Sequence, residues 1–267
     1  MIERSRPITL APLLFAAALL SACATPTVDV HQAQQIIASP DRAPGDRIND
    51  LRRKPADILA FLAVRPGMTA LDVSAGRGYT SELLTRAVGP TGKVYAQTAP
   101  RREAARPPAQ PEGAAAPPPP TPASPMPTLA ERTTRFPNLI AIQRPFEDPA
   151  PPEAEGKLDL VTLMFNYHDF GHLGVDRART NAAIYKALKP GGVYVIADHS
   201  GRPGTGISES GTLHRVEEAF VRREVEAAGF RFAGSGEFLR NPADPRDRNT
   251  PEPPMPKDEF VLKFVKP

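Results

Sequence analysis

The hydrophobic positions of this chain fall into short apolar runs that alternate with longer amphipathic stretches. Runs of roughly four to eight apolar residues are typical of buried parallel strands, and apolar residues three and four positions apart are typical of helices. Strands are predicted at residues 69–73, 93–97, 139–143, 158–165 and 193–197. Helices are predicted at residues 55–64, 80–88, 129–136, 176–188 and 213–228. This alternation predicts a doubly wound, Rossmann-like α/β fold with a mostly parallel sheet.

The C-terminal region departs from this alternation. Residues 230–239 and 260–265 are two more strand-like runs, and the Pro-rich segment 242–256 between them has no helical pattern. A connection without a crossover helix favours antiparallel pairing. We therefore expect a C-terminal antiparallel strand pair that closes the sheet.

Proline marks an insertion in the middle of the chain. Eleven of the 33 prolines lie between Pro100 and Pro127, in a segment that is rich in alanine and almost free of large apolar residues. Such a segment buries too little surface to offset the entropy of ordering it. We predict that residues 99–127 are a disordered insertion within one domain, because neither flank has the elements of a complete domain.

The first residues resemble a bacterial export signal. Arg4 and Arg6 precede an apolar run, residues 8–20, that is too short for an ordinary membrane-spanning helix. The run leads into the sequence Leu-Ser-Ala-Cys at residues 20–23, which resembles the lipoprotein cleavage box. In that class of protein the cysteine becomes the first mature residue and carries lipid. An uncleaved signal anchor, or an ordinary signal peptide with a coincidental cysteine, is the alternative.

This signal divides the chain into a signal peptide (1–22), a tether (23–45) with a short helix near residues 32–38, and a folded domain (46–267). Lipid on Cys23 would hold the domain to a membrane of the cell envelope, facing the periplasm, and Ala24 leans toward the outer membrane. Cys23 is the only cysteine of the chain, so the sequence excludes an internal disulfide and a Cys-rich metal site.

The charge of the chain argues against a nucleic-acid partner. The formal net charge is +3 over 267 residues, and most basic residues are interspersed with acidic ones. Proteins that bind nucleic acid by electrostatics need a basic patch or stripe. No nucleic-acid partner is therefore predicted.

Residues 71–79 carry the most specific signal for a ligand. Asp72 lies near the end of an apolar run, Gly76 and Gly78 follow, and a helical pattern begins at about Thr80. A tight glycine turn between a strand and a helix brings bare backbone and the helix N-terminus close to a ligand. The Asp72 carboxylate can accept hydrogen bonds from an amine or hydroxyl of that ligand.

These residues resemble the first motif of class I S-adenosylmethionine (SAM)-dependent methyltransferases. The turn formed by residues 189–192 (Lys-Pro-Gly-Gly) is also common in that superfamily, and residues 166–169 (Asn-Tyr-His-Asp) are similar to a group of exported bacterial predicted methyltransferases. The resemblance covers about residues 41–267 and implies SAM as the cofactor. Ser74 departs from the motif, because the family usually has glycine at that position.

The resemblance also implies which residues bind SAM. They are Asp72, Ser74, Gly76, Gly78, Gln97 and Asn166. Gln97 lies at the end of the second strand, where SAM enzymes normally hold the ribose hydroxyls with an acid. Glutamine donates and accepts hydrogen bonds there, but it lacks the stronger charge-assisted bond.

A dinucleotide-binding oxidoreductase is the rival interpretation of the same turn. The pattern Gly76-x-Gly78-x-x-Ser81 is a degraded form of the dinucleotide fingerprint. The NAD-binding version also needs an acid at the end of the second strand, where Gln97 lies. The carboxylate of Asp72, the Lys-Pro-Gly-Gly turn and the closing strand pair favour SAM.

The candidate catalytic residues follow the fourth and fifth strands, at the sheet edge where such folds bind ligands. His168 and Asp169 come directly after the fourth strand, and His199 comes after the fifth. Methyl transfer from a sulfonium is an in-line displacement, so a base is needed only for a hydroxyl or protonated amine acceptor. His214 is a further candidate to reach the cleft. The simpler alternative is that these side chains cap loops.

No metal site is predicted from the histidine positions. His168 and His172 are four residues apart, but Gly171 favours a loop between them rather than a helical pair of ligands. The cofactor set is therefore SAM without a metal ion.

Three functions remain open from the sequence. The first is a SAM-dependent methyltransferase that acts on a small molecule or a protein side chain. The second is a binding or scaffold lipoprotein on a methyltransferase fold that has lost catalysis. Ser74, Gln97, the insertion and the export signal favour this second function, because SAM is made in the cytoplasm. The third is an NAD-dependent oxidoreductase.

Overall fold

The computed structural model of the protein describes residues 26–100, 126–249 and 255–267. The predicted signal peptide, Cys23 and most of the predicted insertion lie outside the described residues. No helix in the described part of the chain is both long enough and apolar enough to span a membrane.

One seven-stranded sheet organises the domain. Its strands are β1 (Thr69–Val73), β2 (Lys93–Thr98), β3 (Leu139–Gln143), β4 (Leu158–Met164), β5 (Leu188–His199), β6 (Arg231–Gly236) and β7 (Glu259–Val265). They lie in the order β3-β2-β1-β4-β5-β7-β6. Strands β1 to β5 pair in parallel, and β7 is antiparallel to both β5 and β6. The predicted α/β fold and its C-terminal antiparallel pair are confirmed.

The position of β7 separates this fold from the dinucleotide-binding type. The sheet of that type continues directly from the fifth to the sixth strand, in the order 3-2-1-4-5-6. Here β7 lies between β5 and β6 and reverses the strand direction. The topology therefore gives no support to the NAD-dependent alternative.

Helices cover both faces of the sheet. They are α1 (Val30–Ala38), α2 (Pro44–Arg53), α3 (Pro55–Leu62), α4 (Tyr79–Val88), α5 (Leu129–Arg135), α6 (Asp169–His172), α7 (Arg177–Ala187) and α8 (Glu218–Ala227). Leu59 of α3 and Leu84 of α4 are buried in the apolar cluster on one face. Ile184 of α7 and Val221 of α8 are buried in the cluster on the other. The sheet is thus the middle of three layers.

The N-terminal helix is part of the domain. Ala33 of α1 is fully buried, α1 packs against α3, and the Val28 N–H donates to Val64 O at 2.7 Å. This packing differs from the predicted tether over residues 23–45, because from Val28 onward the chain has apolar side chains that the α3 face covers.

Helix α8 is shorter than the predicted helix over residues 213–228. It begins at Glu218, because the preceding residues pair with β5 instead. Ser200 and Val216 form an isolated bridge, and Val216 N–H donates to His199 O at 3.1 Å. This pairing brings His214 back to the carboxyl end of β5.

The Lys-Pro-Gly-Gly segment begins β5 rather than preceding it. Gly191 has a φ of 75°, and a Cβ at Gly192 would lie 2.8 Å from Lys189 O and 3.1 Å from Leu158 O. The two glycines therefore allow the strand to bend against β4. This is a structural role without chemistry.

Candidate functional site

The turn between β1 and α4 is built on left-handed backbone. The φ angle is 58° at Ser74, 56° at Gly76 and 84° at Gly78. This conformation is costly for a residue with a side chain, which explains why the methyltransferase motif usually has glycine at this position. Ser74 adopts the same backbone conformation despite its side chain. A Cβ added at Gly76 would meet no atom within 4 Å. The bare backbone at Gly76 therefore faces open space at the sheet edge.

Gln97 supports this turn from below. Its Oε1 accepts a hydrogen bond from Ser74 N–H at 2.8 Å, and its Nε2 donates to Arg144 O at 2.6 Å. The side chain is fully buried. Both ends of the amide are thus used by the backbone, whereas the sequence predicted a contact with the ribose. Gln97 shapes the turn that a ligand would meet.

Asp72 lies beneath the same turn. Its carboxylate accepts hydrogen bonds from Ser81 Oγ at 2.6 Å and from Thr162 Oγ1 at 2.8 Å. Burial raises the pKa of Asp72 to about 6, although the two hydroxyls oppose this shift. The acid therefore ties β1 to α4 and β4, and it places a carboxylate at the bottom of the site.

Arg132 of α5 stabilises the turn from the side by a hydrogen bond and two ion pairs. Its Nε donates to Arg77 O at 2.8 Å, and its guanidinium pairs with Asp46 at 2.7 Å and with Glu82. All three charged side chains are buried. No sequence pattern indicated this cluster, because its members come from three separate helices.

A cavity of about 230 Å³ opens over the turn. Four of the predicted cofactor-binding residues line it, namely Asp72, Ser74, Gly76 and Asn166. The other residues of the wall are Asn49, Arg53, Ala75, Arg77, Tyr79, Thr80, Met126, Arg132 and Met164. Gly78 does not line the cavity. It is the N-cap of α4, and a Cβ there would lie 2.9 Å from Leu129 Cδ1.

Arg53 is the unexpected member of this wall. Its guanidinium lies over two aromatic rings, 4.7 Å from the centroid of Phe165 and 5.3 Å from that of Tyr79. Its Nε is buried without a hydrogen-bond partner, and no described residue forms an ion pair with it. Burial, and then the neighbouring Arg52, lower the pKa of Arg53. The cavity thus contains an arginine with unused donors.

A second, more apolar cavity of about 430 Å³ lies at the ends of β2 and β3. Ala99 and Pro100 follow β2, Phe146 follows β3, and Leu173 and Val175 complete much of the wall. Both cavities therefore lie at the carboxyl edge of the sheet, where doubly wound folds bind their ligands.

The predicted catalytic residues lie together after β4 and β5. His168 Nδ1 is 2.6 Å from Asp198 Oδ1, and its Nε2 is 3.1 Å from Asp169 Oδ1. Burial opposes the charged form of His168, but the two carboxylates prevail and raise its pKa to about 9. The pKa of Asp169 is lowered, because the bonds with His168 outweigh the effect of burial.

His199 points toward a different partner. Its Nδ1 lies 2.9 Å from Glu259 Oε1, and Arg52 also pairs with that carboxylate. Burial lowers the pKa of His199. Its ring centroid is nevertheless 5.5 Å from that of His168, so the structure brings the three predicted catalytic residues to one place.

The segment that contains His168 and His172 is helical. Residues Asp169–His172 form α6, whereas the sequence predicted a loop because of Gly171. A Cβ at Gly171 would lie 2.7 Å from Ser210 Oγ. The glycine thus permits close packing of the helical turn against the loop before α8, rather than breaking the helix.

Comparisons of the whole fold agree with these features. No protein-family model matches the sequence, and a search of curated proteins finds no match. Among solved structures, the chain is similar to a SAM-dependent methyltransferase from Aquifex aeolicus, with a TM-score of 0.52 and 16% identity over 90% of this chain and 99% of the other.

Two further structures give the same result. One is a chain of the complex between the Haloferax volcanii Trm112 methyltransferase activator and a methyltransferase, with a TM-score of 0.53 and 16% identity over 85% of this chain and 99% of that one. The other is a methyltransferase-type protein from Bacillus halodurans, with a TM-score of 0.52 and 14% identity over 79% and 98% of the two chains. The chain therefore has the fold of SAM-dependent methyltransferases.

Proposed function

We propose that this protein is a SAM-dependent methyltransferase, which transfers a methyl group to a small molecule or a protein side chain. The observation that carries the proposal is the Arg53 guanidinium, which lines the cavity over the glycine turn and has no ion-pair or hydrogen-bond partner among the described residues. The amino-acid half of SAM ends in a carboxylate. A guanidinium with free donors binds a carboxylate strongly, because its fork matches the two oxygens.

The charges around the cavity favour SAM over a dinucleotide. Arg53 supplies one cation, and Asp72 supplies a carboxylate at the cavity floor. SAM carries an ammonium and a sulfonium as well as its carboxylate, so it offers a charge of each sign. The pyrophosphate of NAD has only negative charges, so it could pair with arginines of the wall but offers no cation to the Asp72 carboxylate.

The position of the histidine cluster supports an acceptor site beside the SAM cavity. Asn166 lines the cavity, and its Nδ2 donates to Asp169 Oδ2 at 2.8 Å. Held by Arg53 and the glycine turn, SAM would supply an activated methyl group to an acceptor in this neighbouring site. When no ion is bound, both ring nitrogens of His168 donate to carboxylates, so His168 has no lone pair to take a proton from an acceptor. We assign it a positioning role.

Calorimetric titration of the full-length chain in detergent tests the proposal. We expect SAM and S-adenosylhomocysteine to bind and NADH not to bind. Binding of NADH alone would favour the oxidoreductase. Absence of binding by all three would leave the scaffold function.

The export signal supports a second proposal, that lipid on Cys23 anchors the domain to a cell-envelope membrane on its periplasmic side. The variant Cys23→Ser is expected to lose lipid labelling and to leave the membrane fraction. Unchanged labelling and fractionation would refute the anchor. Because SAM is made in the cytoplasm, confirmed anchoring would also add weight to the scaffold function.

A further inference from the structure

Four of the five histidines of the chain lie around Asp169. The ring centroids of His168 and His214 are 5.6 Å apart, and those of His172 and His214 are 5.7 Å apart. His199 is the fourth, next to His168. Three of these imidazoles, those of His168, His172 and His214, have a nitrogen within 4 Å of the Asp169 carboxylate.

The nitrogen and oxygen atoms of three of these residues converge. Asp169 Oδ1 is 3.1 Å from His168 Nε2 and 3.4 Å from His214 Nδ1. The ligating atoms of His168, Asp169 and His214 all lie within 4.8 Å of one another. Two ligands that each lie about 2.1 Å from one ion are about 3 to 4 Å apart. We propose that His168, Asp169 and His214 bind a divalent transition-metal ion.

The surroundings of His168 orient it as a ligand. Asp198 accepts from the backbone N–H of His168 at 2.7 Å and lies 2.6 Å from its Nδ1, which turns Nε2 toward Asp169. A carboxylate behind a histidine is the usual support of a metal-binding imidazole, because it fixes the tautomer and the ring orientation. Asn166 occupies Oδ2 of Asp169 and leaves Oδ1 directed at the histidines.

The third ligand comes from a residue in a rare conformation. His214 has a φ of 51° in the loop before α8. Such backbone is uncommon for a residue with a side chain, and it concentrates at functional sites. The side chain of His214 is 40% exposed and that of Asp169 is 24% exposed, so these two ligands reach solvent while His168 is buried behind them. An ion could enter there and keep coordination positions for another ligand.

His172 is excluded from this set by its hydrogen bonds. Ser210 Oγ donates its single hydrogen to His168 O, so it accepts from both N–H and Nδ1 of His172. The Nδ1 of His172 therefore carries hydrogen and is not a metal ligand. Its other nitrogen is not among the converging atoms. His172 is a natural control within the same cluster.

The chemistry of the three ligands selects the class of ion. Two imidazoles and one carboxylate suit Zn²⁺, Fe²⁺ and Co²⁺, whereas Mg²⁺ and Ca²⁺ prefer oxygen ligands alone. A divalent ion lowers the pKa of a bound hydroxyl or thiol. If that hydroxyl or thiol is the methyl acceptor, the ion would activate it. This use of the ion rests on the proposed methyltransferase function, but the metal site itself does not.

The test is equilibrium dialysis of the full-length chain against Zn²⁺ alone, with an affinity tag that contains no histidine. We expect one ion per chain, and Co²⁺ in its place should give visible absorption bands of nitrogen and oxygen coordination. His214→Gln and Asp169→Asn should each weaken binding on the order of 100-fold. His172→Gln and His31→Gln should change it by less than about threefold, because His31 is exposed on α1 away from the cluster.

Two results would overturn the proposal. One is no stoichiometric Zn²⁺ binding by the folded wild-type chain, and the other is equal binding by wild type and His214→Gln. His214 is partly exposed, so its variant is expected to fold, and circular dichroism checks this. Because the dialysis contains no SAM, its failure leaves the proposed methyltransferase function to be judged by the separate titration with nucleosides.

Discussion

Replacing Arg53 with methionine is expected to weaken the binding of S-adenosylhomocysteine by about 10- to 100-fold. Hydrogen bonds to charged groups contribute about 1.5–3 kcal/mol each, and about 1.4 kcal/mol is a factor of ten in affinity. Methionine keeps the apolar contact with Phe165 and Tyr79 but offers no donor to the carboxylate. Calorimetry on wild type and variant measures the difference.

A matched ligand isolates this effect. Methylthioadenosine has the nucleoside and the sulfur but not the amino-acid carboxylate, so Arg53→Met should bind it as wild type does. Thermal unfolding should show little change in stability, because the variant loses the cation–π contacts with Phe165 and Tyr79 but also removes a buried Nε that has no partner. Equal weakening for both ligands would mean that Arg53 acts on the fold of the site and not on the carboxylate.

The second large effect is on stability, from Arg132→Met. This change leaves Asp46 and Glu82 buried without their shared cation, although Glu82 keeps Arg86 at 2.8 Å. Removing one partner of a buried ion pair costs about 3–5 kcal/mol. For a domain of this size, that lowers the midpoint of thermal unfolding by about 10 °C. Differential scanning calorimetry measures the shift.

Arg135 on the same helix is the control. It pairs with Asp41, but the two side chains are 38% and 52% exposed. An exposed pair contributes less than about 1 kcal/mol, so Arg135→Met should shift the midpoint by only a few degrees. Equal shifts for the two variants would contradict the prediction, because the buried ion pairs of Arg132 would then stabilise the fold no more than the exposed pair of Arg135. The affinity for S-adenosylhomocysteine should fall in Arg132→Met but not in Arg135→Met, because Arg132 donates a hydrogen bond to the carbonyl of Arg77 in the glycine turn.

The sheet could be predicted from the sequence because the burial of each strand determines the pattern of apolar residues within that strand. The near-continuous apolar run of β4 is predictable because a central parallel strand is buried on both faces. The glycines of the turn after β1 are predictable because a ligand at a helix N-terminus needs close approach to the backbone. The limits of α8 could not be predicted in this way. Residues 213–216 have a helical apolar pattern, but their backbone pairs with β5, and this tertiary contact overrides the local preference.

The candidate site could be predicted only in part, because sequence spacing does not give the direction of a side chain. Asp72, Ser74, Gly76 and Asn166 line one cavity, since each lies at or just after the carboxyl end of β1 or β4, and their binding of SAM stays a prediction. Gln97 bonds to backbone instead, because the next strand and the turn both present free polar groups to it. Arg53 comes from a helix far from the motif, and only the folded chain shows that it lacks a partner.

The histidine cluster shows the same limit more clearly. His168 and His214 are 46 residues apart, and the pairing of Val216 with β5 brings them together. The spacing of His168 and His172 does form a helical turn, but the third ligand is on another segment. A search for metal motifs along the sequence could not find this set.

Titration of the full-length chain with S-adenosylhomocysteine tests the central claim most directly, that the cavity over the glycine turn is a SAM site. We predict saturable binding of one molecule per chain. A folded chain that takes up no S-adenosylhomocysteine at millimolar concentration would contradict the claim.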